Sequence, residues 1–148
     1  MVKTEFGNAL SRIMWGGVRL SLLERSLLNR LVSELPSFLR TIVEAQFLSY
    51  NLAQREIDGR AVNFYRKWLT RLGGTTPLLE MTTVEAPLIR LAFEFPGDAG
   101  EHHAVLTAVH GRTFCMTFDQ DIRPLANRSE YDVTHVTHSW SSNFRVRV

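Results

Sequence analysis

The sequence predicts an α+β domain, with two to three N-terminal helices packed on one face of a curved antiparallel sheet of about five to six strands. Three observations predict it. Apolar residues recur at helical spacing through the first third of the 148-residue chain. They alternate with a period of two in the second half. Asp-Gly and Gly-Arg pairs stand where tight hairpins need them. At this length the chain, residues 1–148, reads as a single domain that buries roughly two thirds of its unfolded surface without a disulfide or metal staple.

The first helix is expected over residues 4–15. Phe6, Leu10, Ile13 and Met14 share one helical face, and Gly16-Gly17 ends it. The second is marked by Ser21 and Glu24, a capping box in which each side chain satisfies the other's backbone N–H. Leu23, Leu27, Leu28 and Leu31 then carry an amphipathic helix over about 21–34. Pro36 restarts the chain at the first helical position, where its missing N–H costs nothing. Leu35, Phe38, Leu39, Ile42, Val43 and Phe47 form the broad apolar face of a central helix reaching about residue 50.

Residues 51–72 admit two readings. Asp58-Gly59 suits a two-residue type I′ turn, pairing Leu52–Ile57 with Arg60–Tyr65 and placing Ala53, Ile57, Val62 and Phe64 on one face. A helix over 60–72, ended by Gly73-Gly74, is the rival. The hairpin is preferred. Further on, Ile89, Leu91, Phe93 and Phe95 alternate with Leu88, Arg90, Ala92 and Glu94, a strand over 88–95 with one face buried. Strands over 103–110 and 113–119 meet at Gly111-Arg112, read as a type II′ turn. That register sets Val105 opposite Phe118, Thr107 opposite Met116 and Val109 opposite Phe114. A strand over 131–138 follows, and Phe144–Val148 alternates as an edge strand.

Composition excludes several classes. Hydrophobic residues make up 45% and charged residues 22%, so the chain is not disordered. Cys115 is the sole cysteine, so no internal disulfide can form. The N-terminus lacks a signal-peptide core, and no apolar run approaches the ~18 residues of a membrane span. The expected location is the cytoplasm, away from any membrane. Asn127-Arg128-Ser129 matches a glycosylation sequon, read here as chance. Net charge is +2, but residues 1–75 carry +5 and residues 76–148 carry −3. That asymmetry suits an anionic partner or head-to-tail self-association.

No nucleophile elbow, His-Glu-x-x-His motif, P-loop or dinucleotide fingerprint is present, and no cofactor is implied. The histidines do not converge as metal ligands should. His135 and His138 face opposite ways on a strand, and His103 and His110 lie at opposite ends of one. Cys115, among Phe114, Met116 and Thr117, reads as a buried hydrophobe. Asp119 and Asp121 point the same way, at a strand exit. Arg55, Arg60, Arg66, Lys67 and Arg71, interleaved with Phe64, Tyr65 and Trp68, form a candidate anion or nucleic-acid patch without a recognition signature. Arg90, Glu94, His110 and Asp119 are the candidate polar groups of a small-molecule site between helices and sheet. The feature that outweighs these is the sheet's second face, read as holding, besides Arg90 and Glu94, the residues Ala92, Ala104, Leu106, Ala108, His110, Thr113, Cys115 and Thr117. It is too small and weakly polar for open water. The expected function is a non-enzymatic interaction module that forms a homodimer, or holds another protein, through that face or the C-terminal edge.

Overall fold

Helix α1 spans Leu22–Ser33 and α2 spans Ser37–Ser49 in the computed structural model, which describes residues 19–50, 52–65 and 76–145. The capping box starts α1 as its sequence dictates. Ser21 Oγ accepts from the Glu24 backbone N–H at 3.1 Å, and Glu24 Oε2 accepts from the Ser21 N–H at 2.9 Å. Pro36 stands one position earlier than expected, as the N-cap in extended conformation, because its carbonyl already accepts from Arg40. The expected helix over 4–15 lies outside the described residues.

Six strands follow: β1 (Leu52–Arg55), β2 (Ala61–Tyr65), β3 (Glu85–Glu94), β4 (His102–Val109), β5 (Arg112–Phe118) and β6 (Asp132–Thr137). They form one antiparallel sheet in the order β1-β2-β5-β4-β3-β6. A short helix α3 (Trp140–Asn143) comes after β6. The chain is thus of the α+β class, two helices and a short third packed with an open six-stranded antiparallel sheet. Phe144 makes an isolated bridge to Met81, and the remainder of the expected terminal strand, 146–148, is outside the described residues.

The hairpin reading of the ambiguous stretch is correct as far as Tyr65. Ala53 pairs with Phe64, the register expected. The turn differs. Gly59 N–H donates to Glu56 O at 3.0 Å, and of Asp58 and Gly59 only the glycine takes positive φ (71°). This is a type I turn closed by a left-handed glycine, not type I′. It throws Ile57 off the core face, where it was expected, to 95% exposure at the apex.

The larger correction concerns β4 and β5. The two loop residues are His110 and Gly111, both at positive φ (49° and 79°), a type I′ pair flanked by Val109 and Arg112. The turn therefore sits one residue earlier than the sequence suggested. Ala104, not Val105, faces Phe118, and Leu106 faces Met116. A bulge at Phe114 adjusts the last pairs. Because strand side chains alternate, the one-residue shift exchanges the faces of β4, whereas the bulge returns β5 beyond Phe114 to the expected parity, with Met116 and Phe118 inward. Ala104, Leu106, Ala108 and Thr113 are fully buried on the helix side. Val105, Thr107, Val109, Cys115 and Thr117 point the other way.

The packing explains the small residues. Leu23, Leu27, Leu28 and Leu31 of α1 and Leu39, Val43 and Phe47 of α2 fill the layer above the sheet, each no more than 2% exposed. Alanines at 104 and 108 let these larger side chains approach. A second bulge, at Leu88, turns both Leu88 and Ile89 inward, so β3 buries more than strict alternation allows.

One buried amide fixes this arrangement. Gln46 of α2 is 0% exposed. Its Nε2 donates to Pro77 O at 2.9 Å and to Gly111 O at 2.8 Å. Its Oε1 accepts from Thr113 N–H at 2.8 Å and from Thr113 Oγ1 at 3.0 Å. Tyr50 O–H donates to Thr113 O at 2.6 Å. Gly111 is needed for its positive φ and for space, since a Cβ there would lie 2.7 Å from Leu79 O.

Two outcomes test this packing. Gln46→Leu strands the Thr113 N–H and the Pro77 carbonyl, so it lowers unfolding stability by about 3 kcal/mol, read as a drop in the urea midpoint. Ala108→Leu overfills the helix-sheet layer and costs about 1–3 kcal/mol, whereas the same change at Thr107, on the other face, leaves monomer stability within about 0.5 kcal/mol.

Candidate functional site

The candidate ligand residues do not converge. Arg90 and Glu94 are exposed on β3, on the side away from the helices. Four residues apart on a strand, they are separated by roughly 13 Å. His110 occupies the β4-β5 turn, where its backbone N–H donates to Val84 O at 2.8 Å. Asp119 lies at the opposite end of that hairpin, roughly 23 Å away. The space between helices and sheet, where a pocket was expected, is occupied by the leucines and Phe47 described above.

Asp119 belongs to a different group, which the sequence reading did not assemble. His103 stands between two carboxylates. Its Nδ1 lies 3.1 Å from Asp119 Oδ2, and its Nε2 lies 3.1 Å from Glu101 Oε1. Asp119 Oδ1 also accepts from the His103 backbone N–H at 3.2 Å, and Glu101 Oε2 accepts from Thr134 Oγ1 at 2.9 Å. A carboxylate thus lies within hydrogen-bond distance of each ring nitrogen, and the imidazole is engaged within this cluster. Glu101 and His103, two apart on an extended segment, could have been paired from spacing alone. Asp119 could not, because the assumed register put it one residue out of line.

Asp121 is not Asp119's partner. It grips Arg123, with Nε to Oδ1 at 2.9 Å and Nη2 to Oδ2 at 2.7 Å. Hydrogen bonds from the Arg123 side chain and then its backbone hold the Asp121 carboxyl down at about 2. The pair packs against the β1-β2 turn, where a Cβ on Gly59 would lie 2.0 Å from Asp121 Oδ1.

The anion patch is divided. Arg55 forms a two-pronged pair with Glu24, Nε to Oε1 and Nη2 to Oε2, both at 2.7 Å. The Glu24 side chain is only 2% exposed. The same carboxylate therefore caps α1 and ties it to β1. The hydrogen bond to Glu24 raises the Arg55 pKa. Arg60 is exposed in the turn, where its backbone N–H donates to Asp58. Arg66, Lys67 and Arg71 lie outside the described residues.

Cys115 lies on the face away from the helices, beside Thr107. Burial and then the charge of Glu85 push its thiol up, against a hydrogen bond with Thr107. This disfavours the thiolate that nucleophilic chemistry needs. His138 accepts from Trp140 Nε1 at 3.3 Å. Among the described residues no three His, Cys, Asp or Glu side chains are placed to hold a metal ion, and no helix is long and apolar enough to cross a membrane.

The remaining feature is the outer sheet face. Ala61, Ala92, Val105, Thr107, Val109, Cys115 and Thr117 alternate with the core residues of their strands, joined by Asn63. None is charged. Ala61, Ala92 and Cys115 are 5–9% exposed, yet none belongs to the cluster that packs under the helices. Arg90 lies among these residues, beside Val105, and further charges stand toward the ends: Glu85 and Arg112 at one, Glu94, Glu101 and Asp119 at the other. Searches with protein-family models, among curated proteins and among solved structures find no match to the chain.

Two results are expected. Arg55→Met leaves the Glu24 carboxylate buried without its cation and lowers stability by about 3–5 kcal/mol, measured by denaturant unfolding. Because the Asp121 pKa is depressed, its contribution to stability is present above the ordinary aspartate range and is lost as pH falls toward about 2. A carboxyl-detected NMR titration should place its midpoint near that value, and Arg123→Ala should move the midpoint up toward ordinary aspartate.

Proposed function

We propose that this domain is a non-enzymatic interaction module that self-associates as a homodimer through the outer face of its sheet. One observation carries the reading: seven small or β-branched uncharged side chains, with Asn63, line the central strands on a face over which no described helix lies. An antiparallel sheet that faces water normally alternates apolar with Lys, Glu or Arg. Here Arg90 stands within the face, beside Val105, and the other charges of β3–β5, Glu85, Arg112, Glu94, Glu101 and Asp119, lie toward the two ends, as at the rim of an interface.

The titratable side chains give chemistry little support. Glu24, Arg55, Glu101, His103, Asp119, Asp121 and Arg123 are each engaged by a neighbour in the fold. The four strands that line the face, β2, β5, β4 and β3, span three inter-strand spacings of ~4.8 Å and, at about six residues each, give a projected area on the order of 300 Å², smaller than a standard interface buries per partner, so the association would be weak.

Sedimentation velocity from 1 to 100 µM decides it. The wild-type chain should pass from monomer to dimer across that range, and Thr107→Lys, which places a charge in the middle of the face, should remain monomeric with an unchanged circular-dichroism spectrum. A single monomeric species at every wild-type concentration overturns the reading.

A further inference from the structure

We draw no further inference here: the strongest candidate, the exposed Glu101–His103–Asp119 side-chain cluster at the Phe118 end of the β4-β5 hairpin, engages its ring nitrogens and carboxylates with one another and with Thr134, and nothing in the structure points it at a ligand.

Discussion

The side-chain amide of Gln46 is the constraint on which the rest of this structure turns. It has two donors and one acceptor oxygen with two lone pairs, and all four positions are filled at 2.8–3.0 Å. In a fully buried site, an amide held this way tolerates one arrangement of its neighbours. It requires Thr113 to point inward and Gly111 to offer its carbonyl, so it fixes where the β4-β5 hairpin turns. The position of that turn, with the bulge beside it, decides the parity of β4 and of Thr113. Parity then decides which residues meet the helices and which face outward.

The parts of the fold that were legible in the sequence rest on short-range chemistry. Ser21 and Glu24 announced the start of α1 because a capping box is complete within four residues. Asp58-Gly59 announced the β1-β2 reversal because glycine takes the positive φ that a tight turn requires, here 71° at Gly59. Illegible features depended on partners far along the chain. Val105, Val109 and Phe114 look like core residues and Ala104 and Ala108 like surface ones, so apolar size alone chose the wrong register. Only the helices above the sheet, which need small residues beneath them, and Gln46, 67 positions before Thr113, reverse that choice. Ile57 was misplaced for a simpler reason: the type of a turn sets the direction of its apex, and Asp-Gly is compatible with more than one type.

The same distinction runs through the candidate sites. The fold pairs its charged residues across distances that proximity in sequence does not reveal. Glu24 was read as a cap, yet it is equally the counter-ion of Arg55 across 31 residues. Asp119 and Asp121 were considered together because they are close in sequence. Each instead has its own cation or imidazole, because β5 ends at Phe118 and the chain bends through 119–120, between the two carboxylates. An ion pair as enclosed as Glu24 with Arg55 adds little net stability over a well-packed apolar pair. Its effect is to fix where α1 begins relative to β1, the edge strand.

Reversing the register removed half of the residues first assigned to the second sheet face but left the property that drew attention to it. Ala104, Leu106, Ala108 and Thr113 moved under the helices, and Val105, Thr107 and Val109 took their places beside Cys115 and Thr117. Both sets are uncharged, which is why the face could be noticed before it was correctly composed. A sheet with one face in water would not need uncharged residues on both parities of β4. One parity is explained by α1 and α2. The other has no counterpart among the described residues; it carries Arg90 beside Val105 and lies between an end that holds Glu85 and Arg112 and an end that holds Glu94, Glu101 and Asp119. Two copies stacked antiparallel would bring Arg90 and Arg112 of each toward the three carboxylates of the other, with Glu85 beside Arg112. That complementarity, arising from the register that Gln46 imposes, is what favours a second copy of the chain over an unrelated apolar partner.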